Sequence, residues 1–202
     1  MAARLNRKII AYLAVSADGY IARPDGDVKW LDRPEGSGDY GMSDFFKTID
    51  TVILGRKTYE LALSWGQTSY PGKKNYVFTR SGLAPAKNIE FVNENVADFA
   101  ERLRKKKGKD IWLVGGADLN GSFLDAGAVD EFIIHVIPIL IGDGIPLIPR
   151  RHRELQLDLI SSHQYKDGVI RLHYLVGTSK PRAVKHKAPS KKARPGRQRS
   201  RK

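Results

Sequence analysis

Three short stretches of the chain offer side chains or bare backbone suited to holding anions. Ile111-Trp112-Leu113-Val114-Gly115-Gly116-Ala117-Asp118-Leu119 reads as a buried strand that ends in two glycines and runs into the start of a helix. The N–H groups and dipole of a helix N-terminus face an anion, and glycines let a diphosphate approach the main chain with no Cβ in the way. Gly55-Arg56-Lys57-Thr58 and Thr79-Arg80-Ser81 each put a guanidinium beside a hydroxyl at a predicted strand end, which suits a phosphate monoester. Taken singly, a Gly-Gly pair is equally a tight turn, and an Arg at a strand end is ordinarily a surface residue. Together the three ends are the equipment for a dinucleotide bearing an additional phosphate, since ligands of open α/β sheets sit at the C-terminal ends of strands.

Other chemistries find little support. There is no cysteine, so disulfides, thiolate nucleophiles and Cys-type zinc sites are excluded. The five histidines show no metal-ligand spacing. His135 falls in a predicted strand and reads as core, His152, His163 and His173 as surface or hairpin, and His186 as tail.

The elements that must position these ends follow from periodicity. Arg7 to Val15 is a first strand, apolar enough for the sheet centre, and Asp18-Gly19 marks a tight turn after it. A polar loop from Arg23 to Gly41 holds Trp30 and Leu31. Met42 to Ile49 is a short helix with Phe45, Phe46 and Ile49 inward. Asp50 to Leu54, Asn75 to Thr79 and Ile89 to Val92 are further strands, and Val96 to Lys107 is an amphipathic helix with a basic last turn. Val129 to Leu140 is a long apolar strand. Gln156 to Tyr165 and Val169 to Val176 form a hairpin through Lys166-Asp167-Gly168. Strands separated by single helices, followed by consecutive strands, predict an α/β fold with a mostly parallel sheet and an antiparallel edge.

The net charge of +13 is unevenly spread. Of 35 Lys and Arg, 11 lie in residues 180–202, which hold no acid, so the first 179 residues carry 24 against all 22 acidic residues, a net of +2. Residues 1–178 read as one domain. Residues 179–202, with three prolines and almost nothing apolar, read as a disordered basic tail. Such a tail either is a solvated extension or contacts nucleic acid or another acidic surface by charge alone. The basic run Arg102, Arg104 to Lys107 reads as a solvated helix end. No window approaches the roughly 20 apolar residues of a membrane span, and the N-terminus does not read as a signal peptide, so the expected location is cytoplasmic.

Several blocks, in order, resemble dihydrofolate reductase: Ala14 through Ala22, Ile53 through Glu60, Tyr76 through Arg80, and the Val114-Gly115-Gly116 turn. Residues Leu124 through Glu131 and Pro138 through Leu147 are similar to the reductase domain of bacterial riboflavin-biosynthesis enzymes, the RibD C-terminal family. The resemblance spans residues 7 to 177. It implies a dihydrofolate reductase-like three-layer α/β/α fold, a stand-alone NADPH-dependent reductase, and a homodimer. The acceptor it implies is a pterin or, on the match in residues 124 to 147, a ribosylaminopyrimidine of riboflavin biosynthesis.

The same resemblance distributes roles. Ala14 and Ile21 would flank the nicotinamide through their backbone groups. Gly55, Arg56, Lys57, Thr58, Thr79, Arg80 and Ser81 would hold the adenosine end with its 2′-phosphate. Val114, Gly115, Gly116, Ala117, Asp118 and Leu119 would hold the diphosphate, with a cis peptide between the glycines in many relatives. Asp118 stands where relatives have a basic residue, which weakens that grip. Trp30 resembles the tryptophan of the loop that closes over the nicotinamide. The first helix of dihydrofolate reductases carries the carboxylate that pairs with the pterin; here Asp44 is the candidate, with Asp39 just before the helix, and a solvated helix carboxylate is the competing reading of Asp44. Asp18 is turn chemistry first. No metal is expected.

Overall fold

A computed structural model describes residues 7–32, 38–150 and 154–177. Strand β1 (Ile9–Ser16) occupies the middle of an eight-stranded sheet, as its unbroken apolar sequence requires. It lies between β6 (Asp110–Gly115) and β7 (Glu131–Ile137), parallel to both. Outward from β6 come β3 (Ile49–Gly55), β4 (Lys74–Phe78) and β5 (Ile89–Val92), all in parallel register. On the other side β10 (Ile170–Val176) pairs antiparallel with β7, and β9 (Leu157–Gln164) closes that edge antiparallel to β10. A mostly parallel sheet with an antiparallel hairpin is the fold class that the sequence predicts.

Alternation along the central strands divides the core in two. Ile9, Ala11 and Val15 of β1 pack with Phe99, Leu103 and Phe123 on one face, beneath α3 (Val96–Arg104) and α4 (Ala117–Asp125). Ile10 and Tyr12 pack with Phe45, Tyr59 and Trp112 on the other, beneath α1 (Met42–Thr48) and α2 (Arg56–Ser64). Helices on both faces make three layers.

Local chemistry sets the element ends. Asn95 caps α3, its Oδ1 accepting from Ala97 N at 2.8 Å. That helix stops at Arg104, short of Lys107, and its basic residues are less solvated than the sequence predicts: Arg104 pairs with Asp130 at 2.7 Å and Arg102 with Glu94. Strand β7 ends at Ile137, before Leu140, because Pro138 has no N–H for the ladder. A small sheet of β2 (Tyr20–Ala22) and β8 (Ile145–Pro146), absent from the sequence reading, folds over the end of β1. At the opposite end Arg7, 4% exposed, is tied to Asp50, to Thr51 Oγ1 at 2.7 Å and to the Lys109 carbonyl at 2.5 Å. The predicted tail, from residue 178 on, lies outside the described residues.

Candidate functional site

The C-terminal ends of β1, β3, β4, β6 and β7 open into one cleft of about 2170 Å³. This exceeds the roughly 300–1,000 Å³ of a site for one drug-sized ligand, and it leaves room for a dinucleotide with a second molecule beside it.

The anion-suited ends converge here. Gly55 closes β3, and Arg56 is the first residue of α2. The Arg56 side chain reaches across to β4, donating through Nη1 to Ser81 Oγ, while its Nε donates to Glu60 Oε1 at 2.6 Å. Thr79 Oγ1 donates to the Ser81 carbonyl at 2.7 Å and fixes the turn that presents Arg80 and Ser81. Arg56, Lys57, Thr58, Thr79, Arg80 and Ser81 all line the cleft.

The third end is main chain. Gly115 has φ +105° and its peptide bond to Gly116 is cis. A Cβ on Gly115 would stand 3.0 Å from Asn120 Oδ1, so only glycine combines this backbone angle with this contact. Helix α4 begins directly after Gly116, and its first intrahelical bond runs from Asn120 N to the Gly116 carbonyl at 2.9 Å. The N–H groups of Ala117, Asp118 and Leu119 therefore have no acceptor within the helix. Those residues line the cleft with Val114 and Gly116, whereas Gly115 lies just behind. The donor set fits a dinucleotide phosphate: first-turn amides for a diphosphate, and cations with hydroxyls for a terminal phosphate. Asn120, missed from sequence, is 1% exposed and lines the same wall. Its Nδ2 donates to the Leu147 carbonyl at 3.1 Å, and its Oδ1 has no partner among the described residues.

Ala14 and Ile21 flank the next part of the cleft, Ala14 lying beside His135 in the β1–β7 register. Beyond them is a polar and aromatic end. Tyr12 stacks on Phe45 at 4.4 Å, and Tyr70 meets Trp112 edge-on at 5.0 Å. The Tyr12 hydroxyl and His135 Nε2 each lie 3.1 Å from the Tyr40 carbonyl and 3.5 Å from each other, and Tyr165 Oη donates to that carbonyl at 2.7 Å. Burial raises the Tyr12 pKa above the ordinary phenol value and lowers that of His135, so both are neutral at pH 7. His135 is core, as its sequence context predicts, but it also faces the cleft. Tyr12 stands two residues before Ala14 on the same side of β1, and that spacing was the available signal for it.

The two residues singled out for chemistry stand apart from this end. Asp44 lies on the outer side of α1, its side chain 87% exposed and paired with Lys47 at 2.9 Å; it does not line the cleft. Asp39 does line it, but its carboxylate caps α1, accepting from Gly41 N at 3.0 Å and Ser43 N at 2.9 Å. With the Ser43 hydroxyl foremost, these bonds hold its pKa down to about 2. Trp30 is 7% exposed, packed with Ile137 and Val169 below the cleft, while its neighbour Leu31 lines it. Asp18 accepts from Gly142 N at 2.8 Å and stays in turn chemistry. Among the described residues no group of acidic or histidine side chains could hold a metal.

A cleft of this kind across the strand ends of a three-layer α/β/α sheet defines the dihydrofolate reductase-like class of fold. Within that class, residues 7–171 match the RibD C-terminal domain, and the chain belongs to that family. The chain is 45% identical over 173 residues to the uncharacterized protein YwjB of Bacillus subtilis, covering 85% of this chain and 99% of that protein. It is 27% identical over 155 residues to the riboflavin biosynthesis protein RibD of Haemophilus influenzae, covering 70% of this chain and 39% of that longer protein. A solved structure of a putative riboflavin biosynthesis protein from Shewanella sp. PV-4 is similar with a TM-score of 0.75 and 25% identity, over 84% of this chain and 99% of its own. Dihydrofolate reductase from Enterococcus faecalis, solved with NADP(H), shares the fold at a TM-score of 0.63 and 17% identity, over 84% and 96%.

Proposed function

We propose that this protein is a stand-alone NADPH-dependent reductase. Its acceptor is a ribosylaminopyrimidine of the 5-amino-6-(5-phosphoribosylamino)uracil type or, in the alternative, a pterin such as dihydrofolate. The observation that carries the reading is the meeting of Arg56 with Ser81 across two strand ends, on the same cleft as the open amides of α4. Bound NADPH would supply the hydride. Arg56, Lys57, Thr58, Arg80 and Ser81 would hold its extra phosphate, and Gly116 with Ala117, Asp118 and Leu119 its diphosphate. Ala14 and Ile21 would present the backbone beside which the reacting ring lies. The aromatic end formed by Tyr12, Tyr70 and Trp112 would orient a planar acceptor and exclude water from it. Asp44 and Trp30 stay outside this arrangement.

Fluorescence titration with NADPH and NADH, followed by turnover with dihydrofolate and with the deaminated riboflavin-pathway intermediate, tests the reading. Equal affinity for the two cofactors would count against it. A homodimer is proposed with it, supported by Leu159, Ile160 and Ile170, which stand 40–48% exposed on the edge hairpin; light scattering at micromolar concentration reads the mass directly. Nucleic-acid contact through the 11 basic residues of 180–202 is a separate proposal resting on charge alone, and insensitivity of retention to salt would remove its basis.

A further inference from the structure

We propose that the hydroxyl of Tyr12 delivers the proton that completes reduction, with the imidazole of His135 positioning it and holding the oxygen it leaves behind. The inference rests on the reductase reading and deepens it, since hydride transfer needs a proton donor and the carboxylates at hand are exposed or committed to a cap.

The geometry turns on one carbonyl. Tyr40 sits in the left-handed region at φ +53°, and three groups meet its C=O: Tyr12 Oη donates at 3.1 Å, Tyr165 Oη donates at 2.7 Å, and His135 Nε2 lies at 3.1 Å. A carbonyl oxygen has two lone pairs, so with the hydrogen on Nε2 three donors exceed its capacity. Tyr165 holds the short bond. The Tyr12 contact is stretched well past the usual 2.7–2.8 Å or so of an O–H···O bond, and its hydroxyl is the donor most easily released to a ligand. The His135 ring meets two backbone carbonyls, that of Tyr40 through Nε2 and that of Leu13, and a neutral imidazole has a single N–H; that hydrogen is assigned to Nε2. Nε2 then cannot take a proton from Tyr12, but at 3.5 Å it can turn its N–H from the carbonyl to a phenolate.

The step balances. Bound NADPH would supply the hydride for the new C–H bond, and the π pair of the acceptor C=N or C=O would move onto its nitrogen or oxygen. That atom takes the Tyr12 proton, the phenolate accepts from His135 Nε2–H, and a solvent proton entering through the open cleft restores the phenol. NADPH is oxidised and the acceptor reduced. Tyr40 and Asp39 face the pair from the loop before α1, Arg171 and Tyr165 from the edge hairpin, and Trp112 from β6. Among these Arg171 is the cation; it disfavours an imidazolium and favours a transient phenolate.

Two measurements decide. Nitrogen-15 spectra of histidine in the unliganded protein read the tautomer directly: a neutral ring with the hydrogen on Nε2 is expected, and a bare Nε2 overturns the proposal. Second, Tyr12→Phe keeps the ring that packs on Phe45, so the fold and NADPH affinity should hold while kcat falls by about 10²-fold or more. The residual rate should climb as pH falls, because the proton then comes from solvent. His135→Gln, which retains an N–H donor, should keep more activity than His135→Leu. Wild-type kcat in Tyr12→Phe, or equal loss in the two His135 variants, refutes the assignment. A wild-type protein that reduces neither acceptor refutes the reductase reading instead, and this proposal with it.

Discussion

Replacing Arg56 by alanine removes the guanidinium that bridges α2 to the Ser81 turn. A hydrogen bond from a charged donor contributes about 1.5–3 kcal/mol. Here the side chain is 44% exposed and shared with Glu60 at 2.6 Å, so solvent screening and that competing carboxylate reduce the figure to about 1–2 kcal/mol. At about 1.4 kcal/mol per factor of ten, NADPH should bind about 5–30-fold more weakly to Arg56→Ala. NADH, which lacks the additional phosphate, should bind as before. Glu60→Gln should do the reverse, freeing Arg56 and tightening NADPH while leaving NADH unchanged. Titration of the enhanced nicotinamide fluorescence measures all four affinities, and raising the salt should shrink the Arg56 effect. A parallel loss of both cofactors in Arg56→Ala, or no loss of either, would show that the three strand ends do not grip the phosphate in the manner argued.

Asp118 sets a negative charge among the first-turn amides of α4; Asp118→Asn should tighten NADPH binding by about 2–5-fold, a gain of a few tenths to 1 kcal/mol, read in the same titration. Gly144→Ala would push a Cβ to 2.3 Å from the Ala22 carbonyl, so it should separate β2 from β8 and lower Tm by several degrees in a thermal melt. The Asp39 carboxyl has its folded pKa depressed to about 2, so its contribution to α1 is present above its unfolded value and is lost as pH falls from about 4 towards 2. In Ser43→Ala the carbon-13 shift of that carboxylate should titrate at higher pH; an unchanged midpoint would mean the cap is made otherwise. Asp50→Ala strands the buried Arg7 and should cost about 3 kcal/mol in urea unfolding with NADPH affinity intact.

Much of the scaffold was legible because local patterns suffice for it. An apolar run, two glycines and a helix start are contiguous, so the Val114 to Leu119 turn could be read without knowing what lay beside it. The Arg56 and Arg80 ends were readable for the same reason, and parallel pairing of β3 with β4 made them neighbours. Asp44 was a candidate only by its place on the first helix, beside the reading of a solvated carboxylate; Phe45 and Ile49 decide which side of the short helix is buried and turn Asp44 outward. Trp30 sits in a loop with no period, so its inward packing on Ile137 and Val169 depends on distant elements. Tyr12 and His135 lie 123 residues apart; only the β1–β7 register brings them together, and no local signal carries that.

The knot formed by Arg7, Asp50 and the Lys109 segment lies where β1, β3 and β6 begin, at the far end of those strands from the cleft. Anchorage and chemistry thus occupy opposite poles of the sheet. A lineage, or an engineer, can harden one pole without stiffening the other, and can recut the ligand-facing rim to suit a new acceptor while the clasp beneath keeps the strands in line.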